Sequence, residues 1–158
     1  MGLLQNSGWL NFGFWTPEIR QGRERRGFEV VLLSGARETL ASTGYSGPPR
    51  VGRYGVRTEV MERLVLPEIE RGLSAAASRS NVVLVMDEIG KMELLSPAFA
   101  AAVLSVFDTE ARVVATVMAR PHPLADALKA RPDVELVSVT FANRERLATH
   151  VAGLLLGS

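Results

Sequence analysis

Asp87 and Glu88 stand at the end of the apolar run Val82–Met86, in the stretch NVVLVMDEIGKMELLS from Asn81 to Ser96. Such a run predicts a buried strand. A strand that ends in two acids delivers both carboxylates to the carboxyl edge of an open α/β sheet, where ligands bind. One carboxylate there can hold Mg2+, usually through a water. The next can orient or deprotonate a water for in-line attack on a terminal phosphate. In that chemistry Asp87 is the metal residue and Glu88 the base. Gly90 permits a tight turn, and Lys91 brings a candidate catalytic cation to the same edge. The competing reading is structural, because loops that follow buried strands need polar residues. Met92 and Leu94 read as packing.

The elements that must position this pair follow from periodicity. Residues 12–20, FGFWTPEIR, read as a strand, with Pro17 suited to an edge or a bulge. QGRERRG reads as a turn and FEVVLLSG as a second strand, which together predict an antiparallel hairpin. Residues 35–52 are rich in Gly and Pro and read as loop. GRYGVR reads as a short strand. From Thr58, a candidate cap, the pattern turns helical, with Pro67 kinking or splitting the helix. Strand and helix then alternate: NVVLVM, SPAFAAAVLSVF capped by Ser96 with Pro97 at its first position, RVVATVM, PLADALKAR, VELVSVT and NRERLATHVAGLLL. Strands apolar on both faces and separated by helices predict a parallel α/β sheet.

Composition narrows the function classes. The 158 residues are 47% hydrophobic and 22% charged, a globular balance, with a net charge of +1 that gives no pull toward nucleic acid or a membrane surface. The absence of cysteine excludes disulfides, zinc–thiolate sites and thiol catalysis, and fits a reducing compartment. No stretch reads as a signal peptide, and none approaches the roughly 18 apolar residues of a membrane span. A soluble, cytoplasmic, single-domain protein is expected. His122 and His150 read as surface residues with no triad partners, and Trp9 and Trp15 as packing.

DEIGKMELLS, together with GFWTPEIRQG, RRGFEVVLLSG, RVGRYGV and VTFANRERL, resembles the THEP-type (cancer-related) nucleoside-triphosphatase family. The similarity runs from about Gly13 to the last helix. The resemblance implies a RecA-like P-loop fold, Mg2+, and slow hydrolysis of ATP, GTP and other nucleoside triphosphates to the diphosphate. It matches Asp87 and Glu88 to the Walker B pair. It matches Arg20 to an Arg in a T-x-E-x-R segment with a nucleotide-side role, and Thr16 and Glu18 to structural residues of that segment. It allows Asn143 and Arg144 a base-side contact, beside the plainer reading of Asn143 as a helix cap. Arg20, Arg23, Arg25 and Arg26 otherwise read as a solvated hairpin tip.

Members of that family place a strand, a Gly-x-x-Gly-x-Gly-Lys-Thr loop and a helix before the segment that matches GFWTPEIR. Here MGLLQNSGWLNF precedes it. Gly47–Tyr54, GPPRVGRY, mimics the spacing of such a loop, but Arg53 and Tyr54 replace the Lys and the small hydroxyl, and Arg50 crowds the backbone nest. The expected fold is therefore α/β, of the RecA-like P-loop NTPase type. A mostly parallel sheet is flanked by helices and carries an N-terminal antiparallel hairpin, with the P-loop strand and helix missing. Residues 1–158 form one domain, in which 1–12 are an atypical N-terminus in place of the P-loop region. Low catalytic capacity is expected of this chain. The alternative is a non-catalytic truncated form that binds a partner through the uncovered sheet edge.

Overall fold

The apolar run of 82–86 becomes the spine of the sheet. The computed structural model describes residues 8–156. Its strands are β1 (Leu10–Trp15), β2 (Glu18–Gln21), β3 (Glu24–Leu32), β4 (Arg37–Ser42), β5 (Arg50–Val51), β6 (Tyr54–Val56), β7 (Val82–Ile89) and β8 (Arg112–Val117). They form one sheet in the order β5-β6-β4-β3-β1-β7-β8, with β2 beside β3. The helices are α1 (Leu66–Ala76), α2 (Pro97–Phe107), α3 (Pro123–Lys129) and α4 (Arg144–Leu156).

The expected predominance of parallel pairing is corrected. Only β1–β7 and β7–β8 run parallel, whereas β1–β3, β2–β3, β3–β4, β4–β6 and β5–β6 are antiparallel. The physical reason lies in 37–42. The stretch RETLAS reads as loop by its surroundings, yet it forms β4 and extends the predicted hairpin into a meander. Its alternation is weak because Leu40 and Ala41 are buried beside each other at a bulge in β4, where Leu40 is the extra residue. The arginine-rich segment also departs from a simple turn: Arg25 and Arg26 lie within β3, and only the tip at Gly22–Arg23 turns.

The helical region begins as expected, but Thr58 contributes its carbonyl, which accepts from the Met61 N–H at 3.0 Å. Pro67 neither breaks nor splits it. A π turn over Met61–Val65 leads straight into α1, and this wider turn carries the chain past the missing proline N–H. Ser96 caps α2 as predicted, its hydroxyl accepting from the Phe99 N–H at 3.2 Å.

VELVSVT, predicted as a strand, forms no ladder, and Leu136 and Val139 are exposed. A strand needs a neighbour to satisfy its N–H and C=O groups. Among the described residues the outer side of β8 carries no strand, so the β pattern of that stretch has nothing to pair with.

The core joins the two halves of the sheet. Phe14 of β1, Leu84 and Met86 of β7 and Phe99 of α2 are fully buried. Phe14 and Phe99 meet edge to face with ring centroids 5.6 Å apart. No helix among the described residues is long and apolar enough to cross a membrane.

Candidate functional site

Three strands end together at the edge where the acids stand. β1 and β7 run in parallel register, with Trp15 opposite Asp87. On the other side, β7 and β8 match Met86 with Ala115 and then Ile89 with Val117. β7 therefore carries one residue more than β8 across this interval. The bulge falls on Asp87 and Glu88 and frees them from strict alternation between the sheet faces. The peptide between them is cis.

Two threonines hold the pair. Thr116 of β8 donates from its hydroxyl to Asp87 Oδ1 at 2.6 Å. Thr16, just beyond β1, donates to the Asp87 carbonyl at 3.1 Å and accepts from the Glu88 N–H at 3.3 Å. One hydroxyl thus grips both polar groups of the peptide that links the acids. Asp87 and Glu88 both reach the surface. Loss of water from part of the Glu88 carboxylate raises its pKa above the ordinary value, and the neighbouring Asp87 charge adds to the rise.

A third acid stands behind them. Glu93 opens the short turn Glu93–Leu95 and is only 4% exposed. Burial pushes its pKa up to about 7, and the Glu88 charge adds to the shift. Gly90 makes this arrangement possible. A Cβ there would stand 2.8 Å from Glu93 Oε2 and 3.0 Å from Glu88 Cδ, so both carboxyl groups converge on space that only glycine leaves free.

Lys91 is exposed at the turn after β7 and forms no ion pair with a described residue. Arg20 is engaged within its own hairpin, donating from Nε to Glu18 Oε2 at 2.7 Å. Arg25 also pairs with Glu18. Asn143 does not cap α4 with its side chain. Its Oδ1 accepts from the Thr140 N–H at 2.8 Å and its Nδ2 donates to the Ser138 carbonyl at 2.8 Å, closing the turn before the helix. The Arg144 guanidinium lies over the Phe141 ring at 5.1 Å. No described contact joins Arg20, Asn143 or Arg144 to Asp87 or Glu88. His122 is half-buried and not at the surface as expected.

Residue types and spacing alone do not single out Glu93 or Thr116. For Thr116 a signal is present: a lone hydroxyl near the end of the apolar strand RVVATV. Glu93 sits between Met92 and Leu94, and the register of a short turn decides whether such an acid faces inward. A cleft of about 410 Å3 lies elsewhere, lined by Asn11, Ser34, Arg63, Glu68 and Arg71 among others and by neither acid of the pair. The acids instead stand exposed at the end of β7.

The segment Gly47–Tyr54 that mimics a phosphate loop runs into the β5–β6 hairpin, with Val51 opposite Tyr54. It offers no helix N-terminus to an anion.

Comparison with known proteins bears on this arrangement. A family model described as NTPase matches residues 1–152, which includes the residues ahead of Gly13. The nucleoside-triphosphatase THEP1 of Thermotoga maritima is 37% identical over 153 residues, covering 97% of this chain and 83% of that protein. The cancer-related nucleoside-triphosphatase of Homo sapiens is 38% identical over 154 residues, covering 92% and 80%. The crystal structure of THEP1 from Aquifex aeolicus is similar with a TM-score of 0.86 and 32% identity, covering 98% of this chain and 91% of that one. The solution structure of the human cancer-related nucleoside triphosphatase gives 0.83 and 36%, covering 99% and 87%.

Proposed function

The chain belongs to the nucleoside-triphosphatase family, and from that membership we propose that it serves Mg2+-dependent cleavage of ATP, GTP and other nucleoside triphosphates to the diphosphate and phosphate. The observation that carries the reading is the acid pair at the bulged end of β7, bound on one side by Thr16 and on the other by Thr116. The donor set fits a hard cation: Asp87 offers carboxylate oxygen, with the Thr116 hydroxyl beside it. Among the described residues no three acids or histidines cluster as a self-sufficient metal cage. That suits Mg2+, which is commonly held by one or two carboxylates together with water and phosphate oxygens. When bound, the ion offsets the charge of the phosphates.

Glu88 acts as the base. Its carboxylate takes a proton from water, the water oxygen attacks the terminal phosphorus, and the bridging P–O bond breaks with its electrons going to the diphosphate. A pKa raised above the ordinary carboxylate value makes it a stronger proton acceptor. Lys91 lies on the same rim and is assigned to the developing negative charge. Arg20, Asn143 and Arg144 are assigned to the nucleotide more loosely, since each is occupied locally. A chain without cysteine suits the cytoplasm, the compartment we propose.

The 158 positions contain no Gly-Lys-Thr or Gly-Lys-Ser, and on that ground we read the phosphate cradle as missing from them. Removing a single preorganised donor costs roughly 10²–10³ in rate, and a cradle supplies several. The 158-residue chain alone is therefore expected to release phosphate from Mg·ATP or Mg·GTP at background. A rate well above background that falls in Glu88→Gln would overturn the missing cradle and keep the base. A rate untouched by that change would remove Glu88 from the mechanism.

The metal assignment has a readout free of turnover. Mn2+ is expected to broaden the backbone amide signals of Asp87, Glu88 and Thr116 selectively, and Asp87→Asn to abolish the effect. Uniform broadening, or none that depends on Asp87, would remove Asp87 as the metal residue.

A second reading, a non-catalytic chain that binds a partner strand, is favoured by the outer side of β8 and by the exposed, unladdered stretch around Leu136 and Val139. Slow hydrogen exchange throughout β8 in the isolated chain would count against an available edge.

A further inference from the structure

The fold segregates charge that the sequence as a whole nearly cancels. The total is only +1, yet two hairpins separate in sequence bring six arginines to one place. Residues 18–26 hold Arg20, Arg23, Arg25 and Arg26 with Glu18 and Glu24, and residues 50–53 add Arg50 and Arg53. Six arginines against two glutamates give this patch +4 and leave −3 for the remaining side chains. Both hairpins close through a two-residue Gly-Arg turn, Gly22-Arg23 between β2 and β3 and Gly52-Arg53 between β5 and β6. The glycines take the left-handed φ that such turns need, 59° and 57°, and each sets an arginine at a tip. The tips meet: Arg53 pairs with Glu24 at 3.4 Å and donates to the Arg25 carbonyl.

The ion pairs do not discharge the patch. Glu18 serves both Arg20 and Arg25, and Glu24 serves both Arg26 and Arg53. Arg50 donates to the Tyr45 and Arg53 carbonyls, which carry no charge. The four paired arginines keep 42–53% of their side-chain surface exposed, so each pair is weak and open to exchange for another anion.

Two of the guanidinia are also ordered by rings. Phe28 and Tyr54 meet edge to face with centroids 5.4 Å apart. Arg25 lies over Phe28 and Arg53 over Tyr54, each at 5.4 Å. The series Arg25–Phe28–Tyr54–Arg53 thus crosses from one hairpin to the other. A guanidinium held over a ring on one side leaves its other face and its N–H edge to a ligand. Unpaired bases stack on such planes, and phosphates accept from such edges. A duplex hides its base faces, and an acidic peptide need bring no ring. A bilayer needs an apolar anchor, and none of the large exposed apolar side chains lies in either hairpin. We propose that the joined tips of the β2–β3 and β5–β6 hairpins are a docking surface for single-stranded nucleic acid, held by its phosphates and its stacked bases. This inference is independent of the chemistry assigned to Asp87 and Glu88.

Fluorescence anisotropy of a labelled oligouridylate of about 20 nucleotides, titrated with the 158-residue chain without metal or nucleotide, tests the surface. Binding is expected, with log K falling against log salt at a slope of about −3 for four net charges. Arg23→Gln/Arg26→Gln/Arg53→Gln is expected to weaken binding about tenfold or more at low salt and to flatten the slope by about 2, roughly 0.7 per arginine. Arg79→Gln/Arg146→Gln removes exposed charge elsewhere and should stay within about twofold. Arg25→Lys/Arg53→Lys keeps the charge but loses the flat face, so affinity should fall severalfold at an unchanged slope.

No binding at low salt would overturn the proposal, as would an equal loss in the Arg79/Arg146 control or full affinity in the lysine pair. Equal affinity for a duplex of the same length, for polyglutamate or for phosphatidylserine vesicles would overturn it too. Amide fingerprint spectra check that each variant is folded. Should Arg53→Gln unfold the chain, Arg23→Gln/Arg26→Gln at the other tip still decides, with a slope flattened by about 1.4.

Discussion

Gly13→Ala is expected to leave the chain without a cooperative folded state. Gly13 lies in β1, between β3 and β7, with φ at +124°. A Cβ there would overlap the Val85 carbonyl and stand 2.8 Å from Val85 C and 2.9 Å from Val85 N. These are backbone atoms of the adjacent strand and cannot rotate away. The Gly13 N–H is also given to Glu68 Oε1 at 3.3 Å, and its carbonyl accepts from the Leu33 N–H at 2.9 Å. Relief would require β1 to part from β7, which opens the layer holding Phe14, Leu84 and Met86. A loss above about 4 kcal/mol is expected, in the exceptional range for one substitution, against a typical total of about 5–15 kcal/mol. Gly35→Ala is the control. Its φ is +101° but nothing lies within 4 Å of its Cβ, so only backbone strain of roughly 1–3 kcal/mol applies. Urea titrations followed by circular dichroism compare the two. A sigmoidal Gly13→Ala transition within about 1 kcal/mol of wild type would mean that the close approach of β1 to β7 is wrong.

Glu93→Gln is expected to flatten the pH dependence of stability and to stabilise the chain above neutrality. The Glu93 pKa is about 7 in the folded chain, against an ordinary value of 4.5. Below pH 4.5 both folded and unfolded chains carry the proton and the group contributes nothing. Between 4.5 and 7 the folded chain holds more protons than the unfolded one, so stability falls as pH rises. Above 7 the full penalty for burying the charge is present, about 3 kcal/mol. Glutamine has no charge to bury. The two chains should match near pH 4 and diverge by up to that amount at pH 8. Glu88 moves in the same direction, and the exposed acids Glu18, Asp126 and Asp133, whose pKa values are lowered, act at the acid end of the range. The three exposed acids are common to both chains and cancel in the difference, whereas Glu88, whose charge bears on Glu93, contributes to it. Parallel curves from pH 4 to 8 would mean that Glu93 does not titrate in this window.

Much of the positioning scaffold was legible in the residues. The run 82–86 is long enough, apolar enough and free enough of Gly and Pro to admit only a buried strand. Ser96-Pro97 marked the start of α2 through capping chemistry that acts locally. The readings that failed depended on distant partners. RETLAS is a strand because β3 and β6 lie on either side of it. VELVSVT has the composition of a strand but no neighbour among the described residues. At the site, the order Asp87-Glu88 was readable, whereas the grip of Thr16 on their peptide depends on the β1–β7 register, and Glu93 on the turn of the chain around Gly90. Asn143 had the residue type of a cap, but its side chain found donors and acceptors in the preceding turn instead.

The sheet joins two kinds of pairing that differ in how far apart their partners lie along the chain. The meander from β2 to β6 is built from near neighbours, so each hairpin closes a short loop and can zip early. β1 must instead find β7 across nearly half of the chain: Thr16 and Glu88 are 72 residues apart. Long closures are slow because chain entropy is lost before any contact repays it. During refolding the meander is therefore expected to gain protection from solvent exchange first. The junction of β1 with β7, and with it the reactive rim, should be completed among the last events.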